Sequence, residues 1–263
     1  MKNNQKKTGK VYGIIRYPAS ILLWFLIWYV AARQINNEIF LPSPDRVLKV
    51  LLVDLIPTAA FWKSLLTSLV HIAVGFLLGA VAGILLALTA AFSRAVELFC
   101  WFPIKVLKSV PVASFVILTL LWLDAETLSI FVPAMIVLPI LYINTLTGMK
   151  ETDPGLIEMT RLFRVPFVRQ LWYLYLPEAL PHIWAGASLA VGLSWKSGVA
   201  AEIIGLARNS IGNELYQAKL YFLTPELFAW TMVIVLLSIL CEGVFQHILR
   251  TAKRKQKDCR EVL

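Results

Sequence analysis

The chain has 263 residues, 59% of them hydrophobic and only 16% charged, with a mean hydropathy of +0.72. Soluble domains carry about a quarter charged residues; here the apolar excess is gathered into runs of about 20 residues, long enough to cross about 30 Å of hydrocarbon, which excludes a water-soluble globular protein. The net charge of +9 comes from Lys and Arg scattered beside apolar runs, with no basic stripe interleaved with aromatics, and so speaks against nucleic-acid binding.

Six spans are predicted, at about residues 18–33, 64–92, 100–123, 127–147, 181–204 and 227–249. The first follows a basic start and carries Trp24, Phe25, Trp28 and Tyr29 before an Ala31–Ala32 pair. Small residues there fit a cleavable leader, but the aromatic filling favours an uncleaved helix. After it, LPSPDRVLKVLLVDLI reads as a turn and a short amphipathic helix on the outer membrane surface. Ser43 is its expected cap, Pro44 its first residue, and Val47, Val50, Leu51 and Leu55 share one face.

The second span places Gly75, Gly79 and Gly83, followed by Ala87 and Ala91, at every fourth position. Such a stripe lets another backbone approach closely, so these glycines are read as helix packing. His71 lies one turn before Gly75 and reads as a packed or interfacial residue, because no second ligand stands three or four positions away. In the third and fourth spans Pro103, Pro111, Pro133 and Pro139 are expected to kink helices and free carbonyls, tolerable only beside other helices or a wet cavity.

Orientation follows from the excess of Lys and Arg on the cytoplasmic side of membrane proteins. With the N-terminus inside, the inner segments hold eighteen basic residues and the outer ones six: Arg33, Arg46, Lys49, Lys63, Arg208 and Lys219. Both termini are therefore expected in the cytoplasm. Lys196, in the fifth span, is the one basic residue left out of this count.

Between the fourth and fifth spans the chain reads EMTRLFRVPFVRQLWYLYLP. Asp153 is a good helix cap, Pro154 suits a first helical turn, and Glu151, Asp153 and Glu158 put negative charge near the positive end of the helix dipole. Pro166 disfavours helix at Val165 and opens a second short helix, which Leu176–Pro177 is expected to end. A helix–turn–helix results outside the bilayer, with Met159, Leu162 and Phe163 free for a protein groove.

Glu158, Arg164, Leu174, Leu176 and Pro177 have the spacing E-x5-R-x9-L-x-L-P. This resembles the cytoplasmic signature of ABC-importer permeases, E-A-A-x3-G-x9-I-x-L-P, with every interval kept. The family's small residues after the glutamate are Met159 and Thr160 here, and its glycine is Arg164. A glycine would supply the left-handed turn that ends the first helix; Pro166 is an alternative source of the break. LPSPDRVL, KSVPVASFVILTLLWL, LPILYINT and Ala201–Glu202 look like the nitrate/sulfonate/taurine branch, over roughly residues 40–250.

The resemblance implies an all-α type I ABC-importer permease fold and a division of the chain. Residues 1–59 would be a tail, first helix and external segment, 60–250 the permease domain with its docking loop at 148–179, and 251–263 a basic tail. It implies an ATPase subunit docked on Glu158, Met159, Thr160, Arg161, Leu162, Phe163, Arg164, Leu174, Leu176 and Pro177. It also implies an extracytoplasmic solute-binding protein and a second permease copy, expected to be identical. The solute would be small and polar, with an organic anion among the choices. No Walker A motif is present, so ATP hydrolysis is expected on another chain, and no catalytic residue, metal or cofactor is assigned to this one.

The fifth span is the most polar. Intramembrane charge is expensive, so Lys196 and Glu202 should face protein or water, as an ion pair or along a translocation path. They lie about 120° apart around an ideal helix and about 9 Å along it, too far to pair with each other; Glu242 is the alternative partner for Lys196. An ion-gradient-driven secondary transporter would need paired intramembrane acids or an inverted repeat, and neither is clear. A membrane enzyme would need convergent ligands, whereas His71, His182 and His247 are dispersed and Cys100, Cys241 and Cys259 lack CxxC spacing.

Overall fold

The computed structural model describes residues 20–261, with side chains as far as Thr251. Lys2, Lys6, Lys7, Lys10 and Arg16, on which part of the orientation rests, lie outside the described residues, as do the side chains of the C-terminal basic tail. In chain order the helices are α1 (Ser20–Ile35), α2 (Pro44–Lys49), α3 (Ala59–Phe92), α4 (Arg94–Ser109), α5 (Val112–Thr119), α6 (Ala125–Lys150), α7 (Pro154–Leu162), α8 (Phe167–Gln170), α9 (Leu176–Gly205), α10 (Ile211–Leu220) and α11 (Thr224–Glu261). Among the described residues there is no strand, so the fold is all-α.

The count of spans differs from the six predicted. By length and composition α3, α6 and the Thr224–Thr251 part of α11 can each cross a bilayer, and α4 with α5 makes a fourth only if the pair counts as one bent span. The predicted third span is this pair, its halves turned by 107°. Pro111 is the cause: it holds Val110 extended (φ −74°, ψ 127°) and itself caps α5. Pro133 and Pro139, by contrast, lie inside the continuous helix α6. The predicted first span is α1, of which Ser20–Ile35 is described. The predicted fifth span is within α9, which has the length, at 30 residues, but dilutes its apolar residues with Ser, Gly and Lys196.

Two compact units are distinguished. One combines Met1–Trp62 (described from Ser20) with Leu215–Val233. In it the indole N–H of Trp28 donates to the Pro42 carbonyl at 3.1 Å and the ring stacks on Phe228, while Phe61 stacks on Trp230. Pro44 opens α2, yet Ser43 caps it through its backbone carbonyl, which accepts from Val47, and not through its side chain. The helix then widens into a π-helical stretch, Val50–Leu55, with Val47, Val50 and Leu51 buried.

The other unit combines Lys63–Glu214 with Ile234–Leu263. Its centre is α6 against α9: Val137, Leu141 and Met149 meet Ala179, Ile183, Ala187 and Ala190. Small residues set the distance, since a Cβ on Gly148 would lie 2.9 Å from the Ala179 Cα and one on Gly186 2.8 Å from Asn144. The Trp195 indole donates to the Ile234 carbonyl at 3.0 Å, tying α9 to α11. Asp124 caps α6 by accepting from the Thr127 hydroxyl at 2.6 Å and its N–H at 3.3 Å, and these bonds hold its carboxyl below the usual carboxylate range.

Candidate functional site

The segment between α6 and α9 is anchored at its entry. Lys150 meets Glu97 at 2.7 Å, Glu97 also takes Arg94 at 3.1 Å, and Glu151 meets His182 at 3.1 Å. The chain then turns at Asp153, whose carboxylate accepts from the Gly155 N–H at 2.8 Å, and Pro154 begins α7. The Asp-Pro pair thus starts the helix by satisfying one of its free amides.

Helix α7 has no buried residue. It ends in a Schellman turn: the Val165 N–H reaches back to the Thr160 carbonyl at 2.9 Å, and the Arg164 N–H to Arg161 at 3.1 Å. Arg164 occupies the left-handed position at φ 49°, so the turn that favours glycine is made by arginine. Gln170 fastens the next step by donating to the Val165 carbonyl at 2.7 Å, and Phe92 at the end of α3 packs edge-on against Phe167 and Tyr175.

Leu176–Pro177 does not end the second helix, contrary to the sequence expectation. From Phe167 the chain is helical without a break to Gly205, passing through a π-helical stretch, Leu171–Tyr175, directly before Leu176. Pro177 falls in the first turn of α9, and the wider π spacing just before it accommodates a residue with no N–H to donate. The second half of the docking segment, from Phe167, is thereby helically continuous with α9.

The ten candidate residues of this segment divide by side. Glu158, Met159, Arg161, Leu162, Phe163 and Arg164 are exposed, Thr160 is half-buried with its hydroxyl on the Ile157 carbonyl, Leu174 is buried, and Leu176 and Pro177 are half-buried. Leu162 is 82% exposed and Tyr173 equally so. With Phe163, Phe167, Val168 and Trp172 they form an apolar ridge edged by Glu158 and the arginines. An unpartnered apolar ridge of this kind marks an interaction surface.

The two intramembrane candidates stand in different surroundings. Lys196 is exposed in the single chain, on one stripe of α9 with Pro181, Ala185, Leu189 and Leu193. Among the described residues no carboxylate lies within ion-pairing distance of it. Glu242, the alternative partner, lies over Gly192 instead, where a Cβ would collide with its Oε1. Gly192, Ser194, Ser197 and Gly198 are buried in helix packing, with both serine hydroxyls on carbonyls of their own helix, so they do not open space around the lysine.

Glu202 is fully buried. Its Oε2 accepts from the Ser68 hydroxyl at 2.7 Å and from the Gly212 N–H at 3.2 Å. Ser68 in turn accepts from the Ile211 N–H at 2.9 Å, and one turn earlier on α3 the Ser64 hydroxyl donates to Glu214 at 3.1 Å. Ser68 and Gly212 carry no sequence signal that marks them out. The glycine stripe of α3 faces the α6 backbone, where Cβ atoms on Gly75, Gly79 and Gly83 would meet the carbonyl oxygens of Ile130, Ala134 and Leu138.

Residues 75–254 match the family of binding-protein-dependent transport system inner membrane components. The chain is a member of that family. The permease is 27% identical to the taurine transport system permease protein TauC of Escherichia coli, over 82% of this chain and 80% of that one. It is also 27% identical to the nitrate import permease protein NrtB of Synechococcus elongatus, over 81% and 79%. Its fold matches a chain of a bacterial alginate ABC transporter, solved with an alginate pentasaccharide-bound periplasmic protein, with a TM-score of 0.60 at 16% identity over 94% of this chain and 97% of that one.

It is therefore a membrane transport subunit of an ABC importer and not an enzyme, and the secondary-transporter reading falls away.

Proposed function

We propose that the permease works as a homodimer that carries a small anionic solute inward. An extracytoplasmic binding protein delivers the solute, and an ATPase seated on the α7–α8 ridge drives the transport. The observation that carries the reading is the continuity of the second half of that ridge with α9: movement of an ATPase at Val168 and Trp172 is passed along unbroken helix into α9, which is about 45 Å long. The anionic solute is supported by two features. The relatives are named for taurine, which bears a sulfonate, and for nitrate, and Lys196, without an ion pair among the described residues, ends an exposed stripe of α9. Lys196 is thus the residue placed on the path; Glu202, with its carboxylate turned to Ser68 and Gly212, is not.

Both termini and residues 148–179 are cytoplasmic in this reading, and the loop from Leu206 to Leu223 is external. The division into residues 1–59, 60–250 and 251–263 is kept with it, the central part being the permease proper. The test is co-expression with the ATPase and binding-protein genes beside it, followed by purification through a tag on the permease. A stable complex should hydrolyse ATP faster when solute-loaded binding protein is added. In the permease alone, single cysteines at Arg169 and Arg208 should react with an impermeant reagent from opposite sides. A permease that retains no ATPase, or cysteines that both react from outside, would contradict the reading.

A further inference from the structure

The unbroken helix that leaves the docking ridge at Phe167 ends at Gly205, where Leu206 turns left-handed at φ 57°. Within its last turn stands Glu202, the fully buried carboxylate that no transport role so far uses. Three elements converge on this one side chain: α9, which carries it; α3, through the Ser68 hydroxyl; and the first turn of α10, through the Gly212 N–H. Ser68 relays a further bond by accepting from Ile211. Two of the four free amides at the start of α10 are therefore satisfied from outside the helix, by a hydroxyl and a carboxylate that the apolar helices present to it.

Contact is close enough to leave no slack. A Cβ on Gly212 would strike the Glu202 Cβ and lie 2.6 Å from the Ile203 nitrogen. Yet the clasp is incomplete, because Oε1 of the same carboxylate is sealed from solvent and accepts no hydrogen bond among the described residues. A buried acceptor left without a donor raises the free energy of the closed arrangement. Opening the clasp would let water reach both oxygens, which offsets part of the cost of breaking the bonds from Ser68 and Gly212.

We propose that Glu202 is a releasable latch, a positioning residue that makes the first turn of α10 move with α9. This rests on the docking reading above, in which the cytoplasmic end of the same helix is driven by the ATPase and α10 lies on the side of the binding protein. The helix then has a driven end and a reporting end, and the carboxylate is where the displacement leaves the helix. While the latch holds, the shift that the ATPase imposes at Phe167 reaches Ile211 and Gly212. With the latch open, those residues are released from the transport cycle, and the signal from the binding protein fails to reach the ATPase.

The test uses the assembled permease–ATPase complex in lipid nanodiscs, with Glu202→Ala, Glu202→Gln, Ser68→Ala and Gly212→Ala beside the wild type. Hydrogen exchange is followed in the peptide covering residues 206–214, together with the ratio of ATP hydrolysis with and without loaded binding protein. Glu202→Ala and Gly212→Ala should speed exchange at Ile211 and Gly212 at least tenfold and bring the ratio towards one. Glu202→Gln keeps an acceptor oxygen and should retain both properties. If Glu202→Ala does not assemble, Ser68→Ala, which deletes one hydroxyl, decides the matter and should show both changes in milder form.

Protected amides in these variants, or open amides with an undiminished ratio, would overturn the latch. A wild-type complex that shows no stimulation at all overturns the docking reading instead, and with it the coupling role, whatever the exchange pattern shows.

Discussion

Gly79 of α3 and Ala134 of α6 meet backbone to backbone: a Cβ on Gly79 would fall on the Ala134 carbonyl oxygen and 2.9 Å from its Cα. Gly75 on Ile130 and Gly83 on Leu138 repeat the contact, so both helices advance by four residues from one contact to the next. Carbonyls are thereby brought close to glycine Cα–H groups, a weak attraction that recurs where helices pack at this distance.

Gly79→Ala should therefore destabilise the permease by about 1–3 kcal/mol, as overpacking of a close interface does. Gly243→Ala on α11 is the control: nothing lies within 4 Å of its Cβ position, and alanine is the better helix former by about 1 kcal/mol. Thermal unfolding of both variants in one detergent checks the pair. Equal melting temperatures for wild type and Gly79→Ala would remove the close-packing account.

A second prediction concerns the turn after α7. Arg164 holds a left-handed conformation, φ 49°, that costs a residue with a Cβ about 1–2 kcal/mol. Arg164→Gly should relieve part of that cost and slow hydrogen exchange at Val165, whose N–H closes the Schellman turn on Thr160. Arg164→Val, with a branched side chain in the same conformation, should speed it. The opposite order would mean that the arginine side chain stabilises the turn by contacts stronger than the backbone strain.

What the sequence revealed here follows the range of the interactions. Asp153–Pro154 and the helix after it were legible because a cap acts over two residues. The left-handed turn could be located at Arg164 only from the glycine position it fills in the resembling signature, since arginine itself gives no such signal. Leu176–Pro177 was misread for a local reason: proline after a polar segment commonly marks a stop, and nothing in LWYLYLP announces a π-helical stretch that carries the helix past it. The bend at Pro111 was legible as a kink but not in size. The clasp on Glu202 lay beyond reach, because its partner Ser68 is 134 residues away and looks like any small residue in an apolar helix. Lys196 stood out by composition alone, while its freedom from Glu242 depends on how α9 and α11 pack.

The docking ridge gives the third prediction. Glu158 is exposed and, among the described residues, makes no ion pair or side-chain hydrogen bond that its replacement would remove, so Glu158→Lys should leave insertion and melting temperature unchanged. It should weaken association with the ATPase at least tenfold, about 1.4 kcal/mol, or uncouple hydrolysis from uptake. Phe163→Asp, in the apolar part of the same ridge, should do the same. Co-purified ATPase per permease, measured across a salt series, checks both. Undiminished assembly and coupling in the two variants together would place the ATPase elsewhere.

The last prediction separates a path lysine from a structural one. A charge held near the middle of a membrane costs about 2.5–3.5 kcal/mol on insertion scales, and among the described residues Lys196 has no carboxylate beside it to offset that cost. Glu242, the nearest alternative in the sequence reading, is turned to Gly192. Lys196→Met should therefore strand no buried charge, and the melting temperature should stay level or rise. Uptake should fall at least tenfold for an anionic solute and much less for a neutral one of the same size, with Lys196→Arg retaining most of it. Were the lysine structural, Lys196→Met would lower stability and the further change Glu242→Gln would restore it, as removing both members of a buried pair does. Thermal unfolding and proteoliposome uptake for the single and double variants decide between the two. Rescue of both properties in the double variant would mean that Lys196 serves the packing of α9 and α11, and that the preference for anions must come from the binding protein alone.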